Sequence, residues 1–116
     1  MTKEILLTDL PSPITTYLDR SQGIERKAAI DTFDDDALVV DDGRRYRGTS
    51  EIVRWLDRVV SEFEYTTTFL GANSDGRTIT VVNRLEGTFP GGIVELKYRF
   101  VLNEQNDAIS ELTIAP

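Results

Sequence analysis

The chain of 116 residues contains no cysteine and no histidine. Without thiols or imidazoles it has no cysteine nucleophile, no Ser-His-Asp triad, no histidine base and none of the usual zinc ligand sets. Any chemistry must therefore depend on carboxylates, hydroxyls, amides, lysines or arginines. We expect no disulfide, no metal site and no cofactor.

Positive charge is also scarce, since 13 Lys and Arg residues stand against 20 Asp and Glu residues and the net charge is −7. An acidic chain without a basic stripe repels phosphate backbones and anionic lipid headgroups. We therefore expect no nucleic-acid partner and no membrane partner.

Long apolar runs are absent as well. No window approaches the roughly 18 apolar residues of a membrane span, and the short run Ile5-Leu6-Leu7 lacks the features of a signal peptide. The length is that of one domain. We predict a cytoplasmic protein with a flexible N-terminal arm at residues 1–11 and a single domain at residues 12–116.

The first half of the chain has helical patterning around one predicted hairpin. Ser12 and Pro13 mark the start of a first helix, because proline suits the first helical position. The run from Asp34 to Asp36 predicts the end of a second helix, and Asp42-Gly43 predicts a tight hairpin turn. The predicted elements are helices at about 13–22 and 24–33, strands at 37–41 and 44–47, and a third helix after Gly48 with Ile52, Trp55 and Leu56 on one side.

From Tyr65 onward the apolar residues recur with a period of two, as in strands with one buried face. Turn residues separate four such runs, which indicates an antiparallel meander. Helices first and strands last predict an α+β fold with the helices on one face of a strongly curved sheet. The predicted strands lie at about 65–72, 77–89, 93–102 and 108–115, and the clearest alternation places Val94, Leu96, Tyr98, Phe100 and Leu102 on one face.

Three segments resemble the nuclear transport factor two-like superfamily, and more narrowly its SnoaL-like group. They are TFDDDALVVDDG at 32–43, YRGTSEI at 46–52, and the ending with YRF at 98–100 and LTIAP at 112–116. The resemblance covers about residues 13–116. It implies a cone-shaped curved antiparallel sheet with three N-terminal helices packed on its concave face, an interior pocket, and often a homodimer through the outer sheet face. Members include isomerases, cyclases, dehydratases and non-catalytic binders, and the fold does not choose among them.

A distant resemblance to ketosteroid isomerase implies a catalytic pair. That enzyme uses an Asp base and an oxyanion hole built from a Tyr and a protonated Asp. Its base matches Asp41 and its tyrosine matches Tyr17, whereas its oxyanion Asp matches Leu96, so the complete isomerase mechanism is not implied. A carboxylate with a nearby phenol is a sound arrangement for moving a proton next to a carbonyl. The lack of histidine excludes an Asp-His cyclase route.

Each of these residues also has a structural interpretation. Asp41 lies across from Arg44 in a two-residue hairpin, where an ion pair would keep the carboxylate charged and make it a weak base. Tyr17 has the spacing of a core residue on an amphipathic helix. Both interpretations stay open at the level of sequence.

The candidate ligand-binding residues are Trp55, Asn83, Tyr98 and Phe100, which supply apolar walls and one amide. Asn83 interrupts an apolar strand face, where it orients a ligand carbonyl or satisfies a backbone group at a bulge. The arginines Arg44, Arg45 and Arg47 neutralise neighbouring acids or bind a substrate carboxylate.

The resulting hypothesis is a small-molecule-binding pocket protein with isomerase-like or cyclase-like acid-base catalysis by a carboxylate base. Its expected partners are an apolar small molecule and a second copy of the chain. The alternative is a non-catalytic dimeric binding or assembly module: either a module whose cone is filled by its own large side chains and whose sheet surface serves only assembly, or a ligand sensor that has a pocket but no base.

Overall fold

The computed structural model of the protein describes residues 2–22, 25–62 and 64–116. The three helices are α1 (Ser12–Arg20), α2 (Arg26–Ile30) and α3 (Thr49–Glu62). The seven strands are β1 (Lys3–Ile5), β2 (Phe33–Asp41), β3 (Arg44–Arg47), β4 (Tyr65–Asp75), β5 (Thr78–Gly87), β6 (Ile93–Leu102) and β7 (Ile109–Ala115). No helix in these ranges is both long and apolar enough to cross a membrane.

The seven strands form one sheet in the order β1-β4-β5-β6-β7-β2-β3. All neighbours are antiparallel except β2 and β7, which are parallel. A parallel pair needs a long crossover, and here the connection contains α3 and the β4–β6 meander. The predicted α+β fold with three helices on a curved sheet is confirmed, with a sheet that is mixed rather than wholly antiparallel.

The first and third helices begin and pack much as their sequences predict. Pro13 occupies the first turn of α1, where the missing N–H costs nothing, and Ile14 and Tyr17 are buried. In α3 the side chains of Ile52 and Trp55 are at most 2% exposed, so the apolar stripe of this helix faces the core.

The second helix is shorter than predicted. It ends at Ile30, and the acidic run Asp34–36 belongs to β2 instead of closing a helix, so that prediction was wrong. The reason is a strand partner: Phe33 pairs with Ile109 of β7, and the ladder is irregular between Phe33 and Leu38. Tertiary pairing outweighs a weak local helix signal. Gly23 and Ile24, the predicted break and first residue of this helix, lie outside the described residues.

The predicted Asp42-Gly43 turn is confirmed. Asp42 has φ +53° and Gly43 has φ +77°, as a primed hairpin turn requires. The register places Asp41 directly across from Arg44. This turn determines where the strand ends and therefore where the Asp41 carboxylate is held.

The N-terminal segment assigned to an arm contributes a strand to the sheet. Lys3 pairs with Ser74, and Ile5 pairs with Ala72 at the edge of β4. A 3₁₀ turn follows at Leu7–Asp9. Part of this arm therefore forms one edge of the sheet, opposite the edge formed by β3.

The concave face of the sheet carries the core. Along β6 the exposed residues Glu95, Lys97 and Arg99 alternate with inward side chains, which confirms the predicted alternation. The inward residues of the central strands are Ile79, Val81, Asn83 and Leu85 on β5, Val94, Leu96, Tyr98, Phe100 and Leu102 on β6, and Leu112 and Ile114 on β7.

Candidate functional site

A cavity of about 590 Å³ lies between α1, α3 and the concave face of the sheet. The cone is therefore not filled by its own side chains. Its volume lies within the usual range for small-molecule sites. The lining includes Tyr17, Leu18, Asp41, Tyr46, Trp55, Leu56, Arg58, Val59, Tyr65, Thr67, Asn83, Leu85, Leu96, Tyr98 and Ile114.

Asp41 lines this cavity from the last position of β2. Its Oδ2 accepts a hydrogen bond of 2.9 Å from the indole Nε1 of Trp55 on α3. Arg44 is its backbone neighbour across the hairpin, but no ion pair between the two side chains occurs in the described ranges. The carboxylate is thus held by an uncharged donor at the cavity wall.

Tyr17 is both a core residue and a cavity residue: its ring packs in the core, and its side chain also reaches the cavity. Its ring is core, with edge contacts to Phe33 at 5.6 Å and Phe100 at 5.7 Å between centroids. Its side chain also lines the cavity, and no hydrogen bond to its hydroxyl is found among the described residues. Burial raises the pKa of Tyr17 well above its usual value, with smaller contributions from Tyr98, Tyr65 and Asp41. The phenol therefore stays protonated and able to donate.

Two further tyrosines surround the same space. Burial raises the pKa of Tyr98, and Tyr65 and Asp41 raise it further. The pKa of Tyr65 is raised by burial and then by the charge of Asp41. Since the Asp41 charge acts on all three tyrosines, the carboxylate and these phenols share one electrostatic environment. Tyr65 was missed from sequence, although its alternation with Thr67 in β4 was a usable signal.

Asn83 places an amide in the cavity wall. Its side chain is 3% exposed, and it makes no side-chain hydrogen bond within the described ranges. A bulge does occur opposite it, since the β4–β5 register shifts between Phe69 and Gly71, but the amide does not bond there. Its cross-strand neighbour on β6 is Leu96. The amide instead faces the cavity, where it is open to hydrogen bonding.

Of the predicted ligand contacts, Trp55, Asn83 and Tyr98 line the cavity and Phe100 does not. Phe100 is fully buried and stacks on Tyr98 with centroids 6.5 Å apart. It lies behind the wall, where the ring of Tyr17 from α1 packs against it. The prediction of a direct ligand contact for Phe100 is therefore corrected to a supporting core position.

The exposed lining residues mark the mouth of the cavity. They include Asp42, Arg44 and Glu62, which carry charges of both signs. Arg58 donates a 2.6 Å hydrogen bond to the hydroxyl of Tyr46, and its guanidinium lies 5.5 Å from the centre of that ring. Sequence reasoning missed Tyr46 and Arg58, which lie on different elements.

In the described ranges no three acidic side chains come together as metal ligands.

A Sinorhizobium meliloti protein described as a candidate polyketide cyclase is 31% identical, with a TM-score of 0.87 over 96% of this chain and 100% of that chain. This chain belongs to the nuclear transport factor two-like superfamily, in its SnoaL-like group. No family model and no curated protein matches the sequence of this SnoaL-like protein.

More distant solved structures show the same fold. A candidate SnoaL-like polyketide cyclase from Shewanella putrefaciens has a TM-score of 0.71 at 18% identity over 93% of this chain and 81% of that chain. A Mycobacterium tuberculosis protein solved with estradiol-17β-hemisuccinate has a TM-score of 0.72 at 16% identity over 90% of each chain. The SnoaL-like cone of this protein is thus a fold on which small-molecule binders occur.

Proposed function

We propose that this SnoaL-like protein binds a mainly apolar small molecule with a carbonyl group and catalyses proton transfer next to that carbonyl. The observation that carries the proposal is the convergence of the Asp41 carboxylate with protonated phenols and the Asn83 amide around one cavity. These are a base and hydrogen-bond donors in a largely apolar enclosure.

The proposed step begins when Asp41 removes a proton from the carbon beside the carbonyl. The electron pair of that C–H bond moves to the carbonyl oxygen as an enolate. Neutral donors stabilise the developing charge, and Tyr17 is the first of these. Protonated Asp41 then returns the proton to another carbon of the same conjugated system. In both steps the indole N–H of Trp55 positions the Asp41 carboxylate by its 2.9 Å hydrogen bond to Oδ2.

The second oxyanion donor differs from the isomerase arrangement. The matching position is Leu96, which offers no donor, but Asn83 lies directly beside it on the neighbouring strand. In this proposal the Asn83 amide donates to the same oxygen, and its position beside Leu96 supports that role. The Mycobacterium tuberculosis structure supports a ligand with an apolar ring system, since a protein of this fold binds a steroid ester.

The test is isomerisation of a β,γ-unsaturated cyclohexenone, followed by the ultraviolet absorbance of the conjugated product. We expect Asp41→Asn to lower turnover by about 10²–10⁴, the usual contribution of a general base. Tyr17→Phe should lower it by about 10²–10³. The affinity for N-phenylnaphthylamine, a neutral fluorescent probe, should change little in either variant. Asp35→Asn, an exposed carboxylate on the same strand, is the matched control and should keep full turnover.

A non-catalytic binder is the second candidate function, and the Trp55–Asp41 hydrogen bond favours it. This bond ties the end of β2 to α3, so the carboxylate has a structural role without any reaction. Probe binding without turnover in the wild type would support this candidate. A lack of binding by the neutral probe would contradict both.

We further propose a cytoplasmic homodimer that associates through the outer face of the sheet. This face carries exposed charges of both signs, and the Nε of Arg84 is buried there without a hydrogen bond, 3.4 Å from Glu86. A two-fold interface pairs such a surface with itself.

Light scattering should give twice the mass of one chain, and Arg84→Glu with Lys97→Glu should give a monomer. Lys3→Glu with Arg77→Glu, at the sheet edge and a distant turn, should stay dimeric.

A further inference from the structure

A second, open depression of about 490 Å³ adjoins the mouth of the cavity. We call it the arginine groove, and its lining is Arg45, Tyr46, Glu51, Arg54, Trp55 and Arg58. Three of these residues, Tyr46, Trp55 and Arg58, also line the main cavity. The two spaces therefore share one wall, formed by the Tyr46 and Trp55 rings with centroids 6.2 Å apart.

The charge of the groove is positive in a chain of net charge −7. Among the described residues the printed ion pairs lie elsewhere, and none involves Arg45, Arg54 or Arg58. Arg54 donates to the backbone carbonyl of Ser50, and Arg58 donates to an uncharged phenol. Both of these acceptors are uncharged, although the charges of Glu62 and Asp41 also act on Arg58 and raise its pKa after the larger effect of Tyr46.

The one carboxylate of the groove is already engaged. Glu51 Oε1 accepts a 2.8 Å hydrogen bond from the backbone N–H of Arg47. The groove therefore contains three guanidiniums and a single carboxylate, which is bonded to the backbone just before α3. Guanidinium groups in excess over carboxylates, beside aromatic rings, form a typical binding site for carboxylates and phosphate-like groups.

We propose that the arginine groove binds an oxyanion carried by the ligand, while the apolar body of that ligand occupies the cavity. The ligand class is thus an amphiphilic anion: an apolar ring system or chain that ends in a carboxylate, sulfonate or phosphate ester. This inference rests on the proposed ligand-binding function. It assigns the arginine groove as the binding site for the part of the ligand that remains outside the cavity.

The test uses two fluorescent probes that differ by one group. Anilinonaphthalene sulfonate and N-phenylnaphthylamine have the same ring system, but only the first carries an anion. Trp55 is the single tryptophan of the chain and lies between the two spaces, so quenching of its fluorescence reports binding there. We expect the wild type to bind the sulfonate about tenfold more tightly, with the preference weakening as ionic strength rises.

Arg45→Ala with Arg54→Ala removes two exposed guanidiniums of the groove. We expect this double variant to lose the preference for the sulfonate while it keeps its affinity for the neutral probe within twofold. Lys3→Ala with Arg77→Ala removes the same charge elsewhere and should keep the preference. Circular dichroism checks that both variants are folded.

Each outcome separates the two proposals. Equal affinity of the wild type for both probes, or a preference that survives the Arg45 and Arg54 changes, overturns the arginine groove and leaves the cavity proposal standing. A preference lost equally in the control shows only a long-range charge effect and also overturns it. Failure of the sulfonate alone to bind overturns only the arginine groove, whereas failure of the neutral probe to bind overturns the cavity proposal and this inference together.

Discussion

At the scale of single residues, several side chains around the cavity pack in the core with one part and present a polar group with another. The ring of Tyr17 packs between Phe33 and Phe100, whereas its hydroxyl has no partner in the described ranges. Trp55 is 2% exposed, yet its indole N–H holds the Asp41 carboxylate. Core position and site position are therefore not exclusive, because an amphipathic side chain can bury one end and present the other.

Asn83 allows a test of how a polar group in the cavity wall affects stability. The residue is 3% exposed, and its amide faces the cavity without a hydrogen bond to the protein in the described ranges. We expect Asn83→Leu to raise the free energy of unfolding by about 1 kcal/mol and the melting temperature by a few degrees. Thermal unfolding checks this, and Val81→Ala, which only opens space in the same strand, should lower the melting temperature. A loss of stability in Asn83→Leu would mean that the amide is satisfied within the protein.

At the scale of elements, strand β2 shows how a partner strand changes a local prediction. The acidic run at Asp34–36 suits a helix end by itself, but β7 offers a ladder to Phe33 and to the segment from Leu38 onward. The strand then delivers Asp41 to the cavity, and the hairpin turn ends it there. The turn was predictable from two residues, whereas the pairing with β7 joins positions about 75 apart in the chain.

The start of β4 depends on a close approach to β5. A Cβ at Gly87 would lie 2.5 Å from the Cβ of Tyr65 and would also collide with the backbone oxygen of Glu64. Backbone cannot move aside as a flexible side chain can, so we expect Gly87→Ala to lower the free energy of unfolding by about 3 kcal/mol. It should also disturb Tyr65 and so weaken probe binding.

Gly71 is the matched control for this prediction. It lies in the same strand pair, and a Cβ there would meet nothing within 4 Å. Gly71→Ala should change stability by less than about 1 kcal/mol, and in the stabilising direction, because it restricts the unfolded chain. Urea unfolding measures the free energy of unfolding of both variants. Equal changes in the two would show that position 87 has room for a Cβ.

At the scale of the whole molecule, three of the four tyrosines have raised pKa values. Below pH 10 these phenols are protonated in the folded and the unfolded chain alike, so their contribution to stability is fully present. Above that pH the unfolded chain loses protons that the folded chain keeps. Stability is therefore lost as pH rises towards the folded-state pKa, by up to about 1.4 kcal/mol per pH unit for each group.

The measurement is absorbance of tyrosinate against circular dichroism as pH rises above 10. We expect ionisation of the buried tyrosines to coincide with cooperative unfolding, and Tyr98→Phe to reduce the slope of stability against pH. Ionisation of all tyrosines in a chain that is still folded would contradict the burial of these phenols.

The sequence by itself determined the fold class, the hairpin turn at Asp42-Gly43, the first and third helices and the alternation along β6. These features depend on local periodicity and turn chemistry, which adjacent residues carry. Only the tertiary structure decided that Asp41 bonds Trp55 instead of Arg44, that Phe100 lies behind the wall, and that Tyr65 and Arg58 reach the site. Those outcomes depend on the curvature of the sheet and on contacts between distant elements. No local pattern encodes which of several inward side chains the helices leave uncovered.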